Sequence, residues 1–169
     1  MNFNHLRKEM AENAQRIRAL VEGLADDQAR WKSDPDTWSI LEVVNHLADE
    51  EEADFRPRLE ITLFRPDKPW PPIDPAGWVT ERDYNSRDLA ESLDRLMRAR
   101  RASLAWLQEV ESPDWETSYQ APFGQIRAGD LFASWVAHDL LHIRQLVELH
   151  WVSTAKNVAP YSTNYAGEW

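Results

Sequence analysis

Histidine offers the clearest chemistry in this chain, because the sequence has five histidines and no cysteine. Two of them, His138 and His142, are four residues apart in a segment with helical periodicity. Residues at that spacing lie about 40° apart around the helix axis, so the two imidazoles can ligate one ion. The same spacing also arises by chance, in helices whose histidines are solvated or satisfied within a core.

The surroundings of this pair favour a metal site. Its predicted helix face also carries Leu131, Trp135, Gln145 and Leu149. Ionisable rings on an apolar face enter the interior, where an unpaired polar group is costly, and a bound ion removes that cost. The natural third ligand is His46. It lies at the flank of another apolar stripe, so we expect the site near an edge of a helical bundle, open to ligand.

Two neighbours of these histidines are candidates for supporting roles. Gln145 lies three residues after His142. It either hydrogen-bonds the second ring nitrogen of a metal-ligating histidine or a metal-bound water, or it is a polar residue that fills a gap in the bundle. Glu50, four residues after His46, is a candidate general base. It belongs to the acidic run 49–52, and such runs are usually solvated faces.

Four further charged or ionisable residues are expected to lie outside the site. Helical geometry turns Asp139 and Arg144 away from the predicted ligands, which favours ion pairing or a dimer contact over catalysis. His150 lies about 80° around the helix from His142, and His5 belongs to a different helix end. We expect both histidines to be bystanders.

Four segments with apolar residues at spacings of three and four predict an all-α four-helix bundle. They span about residues 4–24, 39–64, 85–110 and 130–151. The second begins with Ser39 and Glu42 at the spacing of a capping box, and Pro57 predicts a kink or an early break within it.

The connections between these segments carry topological information. Residues 65–84 hold five of the ten prolines, so we expect an extended connection without a helix. Antiparallel neighbours need only about two to eight residues, so this length predicts a crossover that starts the third helix parallel to the second. Residues 111–128 mix turn residues with aromatics and predict an ordered loop or a short hairpin.

Apolar residues cover most of the circumference of the fourth predicted helix, which predicts burial from two sides and suggests a homodimer. Six of the nine tryptophans divide into two groups. Core packing suits three of them: Trp31, Trp38 and Trp106. The other group lies in connections and is predicted to form an aromatic mouth over the metal: Trp70, Trp78 and Trp115.

Length and charge exclude several classes of protein. With 169 residues, the chain is expected to form one domain over 1–169. Its formal charge of −10 repels phosphate backbones, and there is no basic run, so nucleic-acid binding is not expected. No stretch approaches about 18 apolar residues and the N-terminal segment has no apolar core. We therefore expect neither a membrane span nor a signal peptide, and a cytoplasmic location.

Two sequence stretches resemble the DinB-like superfamily of metalloenzymes. They are Trp-Ser-Ile-Leu-Glu-Val-Val-Asn-His-Leu at 38–47 and His-Asp-Leu-Leu-His-Ile-Arg-Gln at 138–145, and the likeness extends over nearly the whole chain. The resemblance implies an up-down-down-up four-helix bundle that is often dimeric. It also implies a divalent metal, such as nickel or zinc, held by three histidines, which correspond here to His46, His138 and His142.

Three functions are compatible with such a site, because three neutral imidazoles leave a divalent ion its full charge and an open position. The first is metal-assisted hydrolysis of a small molecule, for which Glu50 is the available base. The second, which the resemblance implies for some relatives, is transfer of a low-molecular-weight thiol to an electrophile, with Arg127 or Arg144 gripping the thiol's carboxylates. The third is a non-catalytic bundle stabilised by metal, or a ligand-binding module.

Overall fold

Four long helical stretches form the bundle in the computed structural model, which describes residues 2–167. The first is α1 (Phe3–Val21), and a short helix, α2 (Asp26–Arg30), follows it. The second consists of α3 (Ile40–Asp49), a π-helical segment (Glu50–Phe55) and α4 (Arg56–Phe64). A short α5 (Pro75–Glu81) precedes the third, α6 (Leu89–Glu109), and the fourth is α7 (Ala128–Asn157).

Side-chain contacts give the direction of each helix. His150 Nε2 lies 2.7 Å from the carbonyl oxygen of Leu20, and Phe3 stacks on Phe132, so α1 and α7 run parallel. In the second pair, Asn45 Nδ2 donates to Ser92 Oγ, and further along both stretches Ser103 Oγ donates to Glu51 Oε2. The second helical stretch and α6 therefore run parallel. The two pairs are antiparallel to each other, because Glu51 contacts Trp135 whereas His46, earlier on its stretch, contacts His142, later on α7. The bundle is therefore up-down-down-up, as predicted.

The start of the second stretch confirms the predicted capping box. Ser39 Oγ accepts a hydrogen bond from the Glu42 backbone N–H at 3.1 Å, and Glu42 Oε2 accepts one from the Ser39 N–H at 2.7 Å. Pro57 neither ends this stretch nor breaks it. Pro57 is the second residue of α4, directly after the wider π-helical turns. Proline has no backbone N–H to donate, and it is tolerated in the first turn of a helix.

The crossover between the second and third stretches corrects the sequence prediction. It was expected to contain no helix, but α5 occupies Pro75–Glu81. Asp74 Oδ1 accepts a hydrogen bond from the Gly77 N–H at 3.0 Å, and Pro75 takes the first helical position. An aspartate cap followed by proline is a helix-start signal, and it outweighs the proline content of the segment. The third helix also starts later than predicted, at Leu89, with Asp88 as its cap.

The segment before α7 is a hairpin, one of the two predicted alternatives. Strands β1 (Ser118–Ala121) and β2 (Gly124–Arg127) pair antiparallel, with Tyr119 opposite Ile126. Helix α7 is longer than predicted and is not buried on both sides within the chain. Leu140 and Leu141 are 51% and 58% exposed, so a partner covering this face stays a prediction. No helix in residues 2–167 is both long and apolar enough to cross a membrane.

Two apolar clusters fill the bundle, one towards each end. The first includes Ile17, Leu41, Leu96 and Leu146, and the second includes Met10, Phe55, Leu59, Leu107, Phe132 and Trp135. Between them, residues 13, 51, 100, 103 and 139 form a buried layer of polar and charged side chains. The predicted metal ligands on α3 and α7 lie at the level of this layer, between the clusters.

Replacing Ser39 with alanine is expected to lower the free energy of unfolding by about 1 kcal/mol, because one orphan donor of α3 loses its acceptor. Chemical denaturation followed by circular dichroism measures the change. Ser134→Ala is the matched control, since Ser134 is exposed on α7, and it should move stability by less than about 0.5 kcal/mol. Equal stability of the two variants would contradict the role of the cap.

Candidate metal centre

Three histidines converge where α3 faces α7. One ring nitrogen from each of His46, His138 and His142 lies within 4.8 Å of the other two. The Nε2 atoms of His138 and His142 are 3.2 Å apart, and the His46 ring centroid is 4.7 Å from that of His142. These are the three residues singled out from the sequence, and their antiparallel helices bring them together from positions almost a hundred residues apart.

Aromatic rings hold the three imidazoles in place. Trp38 packs against His46 with ring centroids 4.8 Å apart, and its ring is parallel to that of His142 at 6.3 Å. Phe55 packs against His138 from another side, with ring centroids 5.1 Å apart. His46 is buried and the two histidines of α7 are half-buried. The site is therefore walled on the side of α3 and accessible from the side of α7.

The predicted aromatic mouth is formed differently. Trp115 stacks on Phe3 at 3.9 Å, at the far end of the bundle, and Trp70 stacks on Tyr119 at 4.3 Å. Trp78 packs beneath the guanidinium of Arg82 and belongs to a small third apolar cluster, with Val79 and Tyr84, against which Trp38 packs. Trp115 and Trp70 are thus held against α1 and β1, and Trp78 is part of α5. Trp38, which was assigned to the core, contacts the histidines.

Gln145 orients one of the rings. Its Oε1 atom accepts a hydrogen bond from His142 Nδ1 at 2.8 Å. Since that bond uses the Nδ1 proton, the neutral ring presents the lone pair of Nε2 towards His138. This is the first of the two roles proposed for Gln145 from the sequence, and it is the usual partner arrangement of a metal-ligating histidine.

The electrostatics keep the three rings neutral. Burial lowers the pKa of His46 to about 3, with the proximity of the other two histidines adding to the effect. Burial likewise lowers the pKa of His138 to about 3 and depresses that of His142. Neutral imidazoles keep a lone pair for a metal. In addition, His46 Nδ1 is buried without a hydrogen-bond partner among residues 2–167, a cost that a shared ion would offset. The residues present therefore fit a divalent ion.

The acidic run after His46 is not a solvated face. Asp49, Glu50 and Glu51 are buried, and only Glu52 of the run 49–52 is exposed. Glu50 Oε1 lies 4.0 Å from His46 Nδ1. Burial raises the pKa of Glu50 above its ordinary value, and the neighbouring carboxyl of Asp54 raises it further. Glu50 is thus a buried carboxyl beside the histidines that holds a proton readily.

The sequence pattern of the DinB superfamily matches residues 9–146. The chain belongs to the DinB superfamily. A solved structure with a similar fold is YfiT from Bacillus subtilis, described as a probable metal-dependent hydrolase with an unusual four-helix bundle topology. The two share 21% identity, and the likeness covers 89% of this chain and 87% of YfiT with a TM-score of 0.78. No curated protein matches the chain.

The remaining predicted residues of this DinB superfamily protein lie outside the site. His150 contacts Gln28 through Nδ1 and the Leu20 carbonyl through Nε2, and His5 is exposed near the start of α1. Arg127 is exposed and bonds Asp130 and Glu116 at the base of α7. Arg144 is exposed on α7. Neither arginine joins the three histidines.

Sequence reasoning missed a charged group at the centre of the bundle. Arg100 is buried on α6 and bonds Glu51 of the π-helical segment and Asp139 of α7. For Asp139 the sequence favoured an ion pair or a dimer contact, and Asp139 forms an ion pair with Arg100. The available signal was the position of Arg100, which falls on the apolar face of α6 between Met97 and Ser103.

Replacing Glu50 with glutamine tests its buried carboxyl in metal-free protein. A carboxyl whose pKa is raised on folding binds more protons in the folded state, so it lowers stability as pH rises above its ordinary pKa, about 4.3. The free energy of unfolding of Glu50→Gln should therefore fall less steeply than that of the wild type between the ordinary carboxyl pKa and the raised pKa of Glu50, about 8. Glu148→Gln, at an exposed position of α7, should leave the profile unchanged. Identical profiles for all three proteins would contradict the assignment.

Proposed function

We propose that this protein is a metal-dependent hydrolase of a small molecule that holds one divalent ion, zinc or nickel, with His46, His138 and His142. The observation that carries the proposal is the convergence of three imidazoles within 4.8 Å, with their pKa values lowered by burial. Imidazole ligands suit both ions. The printed description of YfiT as a probable metal-dependent hydrolase supports the same class.

The ligand set favours catalysis over a purely structural ion. A structural zinc site normally closes with four protein ligands, whereas the cluster found in residues 2–167 contains three. When bound, the ion supplies Lewis acidity that polarises a carbonyl or phosphoryl oxygen and makes a water easier to deprotonate. The half-buried side of the site, at α7, gives a substrate access to it.

The residues around the ligands divide the remaining work. Gln145 holds the Nδ1 proton of His142 and so fixes which nitrogen faces the site. Trp38 and Phe55 cover the rings and keep water from reaching them through the bundle. Glu50 can accept a proton at Oε1 and release it again, because its raised pKa brings it nearer to neutrality, where a general acid and base works best.

Thiol transfer is the less favoured alternative for this site. It requires a cationic grip for the carboxylates of the thiol, and Arg127 and Arg144 were the candidates. Arg127 forms ion pairs with the carboxylates of Glu116 and Asp130. It also precedes His138 by eleven residues, a distance of about 16 Å along a helix. The hydrolase has a candidate proton-transfer group beside His46, whereas neither candidate arginine joins the three histidines.

Metal content tests the proposal directly. Protein purified without a chelator or a histidine tag should contain about one equivalent of a divalent transition metal per chain by elemental analysis. His142→Ala should lose it, because two ligands hold a divalent ion far less tightly than three. His150→Ala is the matched control on the same helix and should retain the metal, since its ring is bonded elsewhere. Metal-free wild type, or loss of metal from His150→Ala, would overturn the ligand assignment.

A panel of reactions separates the two enzyme classes. Ester, amide and lactone hydrolysis is compared with conjugation of low-molecular-weight thiols, using wild type, metal-stripped protein and Glu50→Gln. We expect hydrolysis that needs the metal and falls by about 100-fold or more in Glu50→Gln, the size of a general acid–base contribution. Metal-dependent thiol conjugation without hydrolysis would favour the transferase instead.

A further inference from the structure

A network of three charged side chains is completely enclosed in the bundle. Glu51, Arg100 and Asp139 are 1%, 3% and 1% exposed. Arg100 donates through Nη1 and Nη2 to the two carboxylate oxygens of Asp139, at 2.7 Å each, and through Nε to Glu51 Oε1. Its guanidinium therefore forms a bidentate fork on one carboxylate and a single bond to the other.

The same network connects all four helical stretches. Arg100 Nη1 also donates to the Met10 carbonyl of α1 at 2.9 Å. Ser103 Oγ of α6 donates to Glu51 Oε2 at 2.7 Å, and Trp135 Nε1 of α7 donates to Glu51 Oε1 at 3.2 Å. Each contact is directional, so the network fixes how far each stretch is translated and rotated relative to the others.

The anchors of the network alternate with the metal ligands along the chain. On α7, Trp135 and Asp139 bind the network, and His138 and His142 follow each of them by three residues. On the opposite stretch, Glu51 binds the network and the adjacent Glu50 faces His46. A slip of α7 by one residue would move its histidines by about 1.5 Å and 100°, which would separate them from His46.

Stability alone does not explain such a network. Replacing a buried ion network with apolar groups of similar size is often neutral or stabilising, because the charges lose so much hydration on burial. Apolar clusters above and below the layer tolerate small shifts, whereas the fork of Arg100 accepts one arrangement. The useful property of the network is therefore the register that it imposes.

We propose that Arg100, with Glu51 and Asp139, is a positioning group that holds the histidines of α7 opposite His46 at the distance that a metal requires. The inference rests on the proposed function, because it assigns the network to that same metal site. The network of Glu51, Arg100 and Asp139 touches neither the ion nor a substrate. It acts through the helices that carry the metal ligands.

The test removes the network while preserving its volume. The variant Glu51→Gln, Arg100→Met, Asp139→Leu has no buried charge there and keeps an acceptor for Trp135. Arg100→Lys keeps the charge but loses the fork. Arg95→Met is the matched control, because Arg95 lies earlier on α6 and bonds Asp49 and Glu52 without joining α7. Thermal unfolding, zinc affinity and the visible absorption of the cobalt-loaded protein are measured for all four proteins.

We expect the triple variant to melt near the wild type or above it, to bind zinc about 10- to 100-fold more weakly, and to give an altered cobalt spectrum. Arg100→Lys should alter the spectrum in the same direction, and Arg95→Met should match the wild type in both metal measurements. A folded triple variant with wild-type affinity and spectrum would overturn the inference. If that variant does not fold, an unchanged spectrum in Arg100→Lys overturns it. Failure of the wild type to bind either metal would instead overturn the proposed function.

Discussion

The fork of Arg100 on Asp139 is the contact around which the bundle is arranged. A guanidinium and two carboxylates can be buried only if every charge meets a partner, and here the partners come from α6, α7 and the π-helical segment. Burial accordingly raises the pKa of Glu51, against which Arg100 and Ser103 act. The apolar clusters supply the driving force for folding on either side of this layer, and the layer selects one packing among those that they permit.

The layer also explains how neighbouring carboxylates acquire different properties. Glu51 faces an arginine, whereas Glu50, the adjacent residue, faces His46 and the carboxyl of Asp54. Asp49 is held by Tyr84, Arg82 and Arg95, and although its burial would raise its pKa, those hydrogen bonds and charges lower it. Three consecutive acids thus have three environments. Burial and the carboxyl of Asp54 raise the pKa of Glu50, whereas the arginines around Asp49 lower the pKa of that carboxylate, and carboxyl groups with such separated pKa values can take different proton-transfer roles.

Much of the fold and the ligand set follows from sequence patterns that depend on one helix at a time. The spacing of His138 and His142, the capping box at Ser39 and the length of the crossover are local signals, and each has its expected outcome in the structure. The acidic run was misjudged because its composition indicates solvent, whereas the burial of its members depends on distant partners, such as Arg100, which lies 49 residues from Glu51. The tryptophans at the site were misassigned for a similar reason, since packing between distant segments decides which ring meets the histidines.

The π-helical segment makes the length of the second stretch as important as its composition. Its wider turns accommodate one residue more than an α-helix of the same rise, and this surplus lies between His46 and Leu59. If the same residues wound as a regular α-helix, everything after them would be rotated by about 100°. Leu59 would leave its apolar cluster even though no buried side chain had changed. The wide turns therefore set the phase that keeps Leu59 in its cluster while His46, earlier on the same stretch, faces α7.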